Sequence, residues 1–209
     1  STNLVALEEI GLEAGDSVVA KRQTSGRGRK GRRWDSRSGD FTASWVIPPV
    51  GETIEAPHAI QLRSALAATD AVLRWMDMTS IAFDSANAWH NTLGIKWPND
   101  LMIRDKKYGG ILIESRQQGA DSRTVVGVGI NIGPAPSPWS SLDELTPSGN
   151  SEQLASHVTA AIAHWFGKGP AGGPPSDAEV LSAAHRAMSC WGAAMQWPLS
   201  LNQDGTLAA

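Results

Sequence analysis

The stretch "VVGVGINIG", residues 125–133, constrains the fold more than any other part of the chain. With the period of two that a strand imposes, Val126, Val128, Ile130 and Ile132 point to one side. Gly127, Gly129, Asn131 and Gly133 point to the other. The first face reads as core. The second is nearly bare, and glycine inside a strand weakens it, so a row of glycines indicates that another backbone or a ligand lies against the sheet there. Close packing on a helix is the structural alternative.

The rest of the chain reads as mixed α and β. "STNLVALEEI" predicts a short helix opening on the good N-cap residues Ser, Thr and Asn. "DSVVAKRQ" and "FTASWVI" predict strands, and apolar residues at helical spacing predict a helix from His58 to Met76. "GILIES" and "TVVGVGINIG" form the arms of a hairpin. "NSEQLASHVTAAIAHWF" is a helix with a capping box at Asn150 and Gln153, and Ser176 with Glu179 repeats the device before "VLSAAHRAM". "GKGPAGGPPS" links the two helices. The tail, "MSCWGAAMQWPLSLNQDGTLAA", holds a turn-like Asp-Gly but ends before a hairpin could complete, like a piece of a small β domain. At 209 residues, one full domain plus a small appendage is expected. The single cysteine, Cys190, excludes an internal disulfide framework and suits a reducing, cytoplasmic setting. No apolar run approaches the roughly 20 residues of a membrane span.

Charge is distributed unevenly. Residues 21–33 hold seven of the 18 Lys and Arg and no acid, leaving 11 cations against 21 acids elsewhere. Within this run, "GRGRKGRRW" alternates glycines with Arg27, Arg29 and Arg32. Gly26, Gly28 and Gly31 permit close backbone approach, so amides and guanidinium groups can converge on one anion. The phosphate-loop pattern GxxxxGK[ST] is absent. The loop could hold a phosphorylated small molecule, nucleic acid, or water alone. A second constellation is "KWPNDLMIRDKKYGGILIES", residues 96–115. Pro98 stiffens a turn that presents Lys96, Asn99 and Asp100 together. Lys107 stands before Gly109 and Gly110, where a lysine could reach a reacting phosphate. Taken singly, Lys96 and Asp100 also read as a structural pair, and Lys107 as a surface charge.

In order and spacing, "STN", "QTSGRGRKGRRW", "KWPND", "KKYGGILIE" and "VVGVGINI" resemble the biotin–protein ligases of the biotin–acetyl-CoA-carboxylase type. The likeness is strong over residues 1–133 and loose over the later helices. It implies an α+β fold, a mixed β-sheet with flanking helices related to class II tRNA synthetases, followed by a small SH3-like domain. On that reading residues 1–188 form the catalytic biotin- and ATP-binding domain, and residues 189–209 are an incomplete SH3-like domain. The implied chemistry joins biotin to ATP as biotinyl-5′-AMP, with Mg2+, then transfers biotin to a lysine. The implied partner is the biotin carboxyl carrier domain of acetyl-CoA carboxylase or another biotin-dependent carboxylase, with the enzyme a monomer or homodimer.

Position by position, the resemblance assigns Ser1, Thr2, Asn3 and Gln23 to biotin, with Arg27, Gly28 and Arg29 closing over it and its carboxylate. Arg27 and Arg29 also belong to the ATP side, with Arg32, Trp34, Lys96, Asn99, Asp100 and Asn131. Asp100 is the metal ligand, and Lys107, aided by Arg27 and Arg29, is the catalytic residue at the carboxylate and α-phosphate. "PAPSPWSSL" takes the place of an adenine loop, with Trp139 a stacking partner. Family members have chain before "STN", so this sequence carries no information on a DNA-binding helix-turn-helix. Two alternatives stand beside this reading. A lipoate/octanoate–protein ligase would show Arg-Arg-x-Ser-Gly-Gly-Gly, which is absent. A nucleic-acid-binding module would use residues 21–33.

Overall fold

The computed structural model describes residues 1–48, 57–76, 93–118, 121–145, 151–167, 174–188, 200–201 and 207–208. Its centre is a six-stranded sheet in which β1 (Ser17–Val19), β2 (Phe41–Ile47), β3 (Leu93–Lys96), β4 (Asp100–Ile103), β5 (Lys106–Gln118) and β6 (Asp121–Ile130) run in the order β1-β2-β6-β5-β4-β3. Each described pairing is antiparallel. Helices flank the sheet, as the α+β reading expects: α1 (Thr2–Glu8), α2 (Pro57–Trp75), α3 (Ser151–Phe166) and α4 (Asp177–Met188). Among the described residues, no helix is long and apolar enough to cross a membrane.

The alternation in β6 divides the molecule. Val126, Val128 and Ile130 join Phe41, Ala43 and Trp45 of β2 in one core with Leu62, Leu66 and Val72 of α2 and Leu154 and Val158 of α3. Ser64 and Thr69 are buried in α2, and each hydroxyl donates to the carbonyl one turn back, at 2.6 and 2.8 Å. Val125 and Val46, on the opposite face, pack with Ala6 of α1. The sheet therefore has an apolar face under α2–α4 and a second face shared by α1 and the alternating glycines of β6.

Local chemistry explains the element ends. The Ser176 amide donates to Glu179 Oε2 at 2.8 Å and the Glu179 amide to Ser176 Oγ at 3.3 Å, a reciprocal capping box at the start of α4. Asn150, of the other proposed box, lies outside the described residues, as does Cys190. At α1, Ser1 is the N-cap but makes no side-chain cap, because Thr2 and Asn3 turn toward the sheet instead. Buried Arg63 of α2 donates to Asp177 Oδ1 at 2.6 Å and to the Pro175 carbonyl at 2.7 Å, fixing α4 beside α2. The tail corrects the sequence reading. β7 (Ser200–Leu201) and β8 (Leu207–Ala208) pair antiparallel, Ser200 opposite Ala208, so two short strands of the tail do pair; Asp204-Gly205 lies outside the described residues.

Candidate active site

A cavity of about 460 Å3 opens over the glycine face of β6, within the size range of small-molecule sites. Four pieces of chain build it: the start of α1, the loop 23–36, the turn into β4 with the start of β5, and the loop after β6.

At one end, polar groups interlock. The Thr2 amide donates to Gln23 Oε1 at 2.8 Å, and the Gln23 amide donates to Ser36 Oγ at 2.7 Å. Ser44 Oγ lies 2.6 Å from Asn3 Oδ1 and 2.7 Å from Thr2 Oγ1. Asn3 Nδ2 donates to Glu114 Oε2 at 2.9 Å and to the Leu112 carbonyl at 3.2 Å. Each group is held by a neighbour from another element, so a ligand meets donors and acceptors already oriented. The bare strand face also finds its occupants here. A Cβ on Gly127 would lie 2.1 Å from Asn3 Oδ1, and one on Gly129 would lie 2.6 Å from the Trp34 ring. Asn3 of helix α1 and Trp34 of the loop lie against these glycines, so at Gly127 the close packing on a helix holds, and the cavity opens over the same face.

The basic loop folds back on itself. Gly28 N donates to Arg32 O at 2.8 Å and Trp34 N to Gly26 O at 3.0 Å, with Arg27 and Arg33 bridged across the turn. Lys30 (φ 57) and Gly31 (φ 71) reverse the chain in the left-handed region. Gly26 is obligatory, since its Cβ would lie 2.2 Å from the Trp34 carbonyl oxygen. Arg27 NH1 stands 3.3 Å from Glu114 Oε1, and Arg29 NH1 donates to Asn99 Oδ1 at 2.9 Å. All three arginines, Arg27, Arg29 and Arg32, line the cavity while remaining exposed.

At the other end, Lys107 Nζ donates to Asp100 Oδ1 at 2.5 Å and lies 5.8 Å from the Trp34 ring centroid. The alternation of β5 sends Lys107 to the cavity and Tyr108 into the core, where burial pushes the phenol well above its usual range. Asp100 therefore pairs with Lys107, while standing opposite Lys96 in the β3–β4 ladder. Asn131 Nδ2 donates to the Ser140 carbonyl at 2.9 Å, anchoring the loop that carries Trp139 to the cavity wall. Arg37 and buried Asp40 secure the same loop: Arg37 NH2 donates to Asp40 Oδ1 at 3.1 Å and to Gly133 O at 3.2 Å, and the Ile132 amide donates to Asp40 Oδ1 at 3.2 Å.

The cavity gathers Ser1, Thr2, Asn3, Gln23, Arg27, Gly28, Arg29, Arg32, Trp34, Asn99, Asp100, Lys107, Asn131 and Trp139 from the sequence-predicted set. Lys96 ends β3 with an exposed side chain and is not among the lining residues. Sequence reasoning missed Ser44, Glu114, Arg37 and Asp40. Ser44 was visible in principle, as a hydroxyl alternating with Ala43 and Trp45 in a strand otherwise built of core residues. Among the described residues no group of three or more His, Cys, Asp or Glu could hold a metal ion. At this end Asp100 Oδ1 accepts from Lys107 and Asn99 Oδ1 from Arg29, which leaves Asp100 Oδ2 as the remaining carboxylate oxygen.

Residues 1–131 match the family model described as "Biotin/lipoate A/B protein ligase family". The chain is 37% identical over 138 residues to the biotin–[acetyl-CoA-carboxylase] ligase of Paracoccus denitrificans, 65% of this chain and 52% of that protein. It is 35% identical over 136 residues to the bifunctional ligase/repressor BirA of Escherichia coli (strain K12), 63% of this chain and 38% of that protein. The match thus spans about half, or less, of the length of these relatives. Among solved structures, the Leishmania major biotin protein ligase in complex with biotin superposes with a TM-score of 0.75 at 26% identity, covering 99% of this chain and 89% of that one. The Aquifex aeolicus biotin protein ligase in complex with biotin and ATP gives 0.61 at 29% identity, covering 78% of this chain and 65% of that one. On the family match, which takes in the loop, the "KWPND" turn and the glycine strand, this chain belongs to the biotin/lipoate A/B protein ligase family.

Proposed function

We propose that this chain is a biotin–protein ligase, forming biotinyl-5′-AMP from biotin and ATP and passing biotin to a lysine of a biotin carboxyl carrier domain. The observation that carries the reading is the polarity of one cavity. Hydrogen-bonding groups of Thr2, Asn3 and Gln23, with buried Ser44 behind them, line one part of the cavity. Arg27 adjoins them through Glu114, and Arg29 and Lys107 line the part at Asn99 and Asp100. Biotin matches that arrangement, with a neutral ureido ring at one end and a carboxylate at the other.

In the first step the biotin carboxylate oxygen attacks the α-phosphorus of ATP, the bond to the bridging oxygen breaks, and pyrophosphate leaves. Two anions must meet, so the barrier falls where fixed cations stabilise the charge on the phosphoryl oxygens. Lys107, bonded to Asp100, and Arg29, bonded to Asn99, support this role. Asp100 and Asn99 would hold magnesium, which when bound screens phosphate charge. Arg27 is positioned to close the loop over the carboxylate, and a closed loop keeps water from the mixed anhydride. In the second step the carrier lysine's amine attacks the biotinyl carbonyl, forming the amide and releasing AMP and a proton. Residues 1–188 serve as the catalytic unit and residues 189–209 as part of an SH3-like appendage. The alternatives are less well supported: a lipoate or octanoate chain offers Thr2, Asn3 and Gln23 nothing polar to bind, and Arg27 and Arg29 are already engaged by Glu114 and Asn99 at the cavity.

The test is ATP–pyrophosphate exchange driven by biotin, lipoate or octanoate, with mass spectrometry for a retained adenylate. Biotin alone should support exchange. Exchange with lipoate and none with biotin would overturn the reading.

A further inference from the structure

One face of β6 receives α1 in three successive steps. Gly127 leaves the space into which Asn3 inserts. Two residues earlier, Val125 packs on Ala6. Two residues earlier again, Arg123 reaches over the end of the helix. Its NH1 donates to the Ala6 carbonyl at 3.2 Å and the Glu9 carbonyl at 2.5 Å, and its NH2 donates to the Leu12 carbonyl at 2.9 Å. Opposite Arg123 in the β5–β6 ladder stands Arg116, whose NH1 lies 3.6 Å from Glu8 Oε1. Two arginines directly across an antiparallel pair repel one another. Here both are turned to the same end of α1, Arg123 to its carbonyls and Arg116 to the carboxylate in its last turn, where positive charge is favourable.

α1 has seven residues, too few to be stable on its own. Its apolar contact with the sheet is Ala6 between Val46 and Val125, with Leu7 partly buried beside it, and at its start Thr2 and Asn3 bond to Ser44 of β2. The Arg123 fork holds the far end of the helix while the Thr2 and Asn3 bonds hold its start, so the fork is one of the two anchors that fix how far along the strand the helix sits. That position sets where Thr2 and Asn3 stand, about 13 Å away along β6. We propose that Arg123 is a positioning residue for the biotin end of the cavity, acting through α1, with Arg116 in a lesser supporting part. The inference rests on the biotin reading for its substrate and on the contacts of Arg123 alone for its mechanism.

Steady-state kinetics and calorimetric biotin binding on the full chain test it, with Arg123→Met and Arg123→Lys beside the wild type. Loss of a group that only places ground-state contacts should raise KM and Kd for biotin about tenfold or more, leaving kcat at saturating biotin within about twofold. KM for ATP should not move. A lysine keeps the charge but cannot reach three carbonyls, so Arg123→Lys should fall between the two. Arg123→Lys also retains strand character and answers the question should Arg123→Met fail to fold. Unchanged biotin affinity in the lysine variant, or a loss of kcat with KM intact, would overturn the proposal. Hydrogen exchange without ligand gives a substrate-independent arm: the Val5 and Glu9 amides, bonded to Ser1 O and Val5 O, should exchange about tenfold faster in either variant. If the wild type binds no biotin, the substrate reading fails and exchange alone decides; unaltered exchange would refute the clamp.

Discussion

Lys107 sits 2.5 Å from Asp100 at the start of β5, with Tyr108 buried behind it and Lys106 exposed beside it. A contact that strengthens as charge moves onto the phosphoryl oxygens affects rate more than ground-state binding. Lys107→Ala should slow single-turnover adenylate formation by roughly 10²-fold or more, the usual effect of losing one positioned electrostatic donor, while biotin affinity falls far less. Lys106→Ala should be close to wild type in the same measurement. Equal losses at both positions would withdraw the catalytic role from Lys107. This lysine was legible in the sequence because its neighbours, Gly109 and Gly110, mark close approach to the cavity. Glu114 closes the "KKYGGILIE" motif, but its contacts were not legible: it joins Arg27 to Asn3, more than a hundred residues away from the latter. Nothing local distinguishes a carboxylate that receives two distant partners from one that meets water.

Elements were legible wherever local chemistry decides them. The capping box at α4 is one case, and it makes a pH prediction. Glu179 is held below the ordinary glutamate range, chiefly by the Ser176 hydroxyl and then by the Ser176 amide. A carboxyl lowered in the folded state stabilises above its unfolded pKa, and that contribution fades as pH falls through the folded value. Ser176→Ala should move the Glu179 titration, followed by NMR, back toward the ordinary value; an unmoved titration would mean the box is not closed in solution. The period-two pattern of β6 was legible too, but not what covers its glycines, because Asn3 and Trp34 arrive from other elements. Gly127→Ala should displace Asn3 from Ser44 and weaken biotin binding by about tenfold or more, with the far-ultraviolet spectrum unchanged. Retained affinity by calorimetry would show that Asn3 can shift at no cost.

At the scale of the whole molecule, the sheet keeps stability and chemistry on opposite sides. Leu66 of α2 is fully buried in the apolar face. Leu66→Ala should lower unfolding free energy by about 2–5 kcal/mol in a urea titration, yet leave KM for biotin unchanged. A shift in KM would mean that the sheet transmits packing strain to the cavity. The two faces of β6 also set different rules for inheritance. Val126, Val128 and Ile130 can exchange among branched apolar residues with modest loss, since neighbouring side chains repack. Gly127 has no smaller replacement, so each variant there adds atoms into space that Asn3 already fills. A descendant that gains a side chain at 127 can recover only by shortening position 3. The two sites, 124 positions apart, form a single unit of descent, and double-mutant coupling between them should exceed that of either with any core position of the strand.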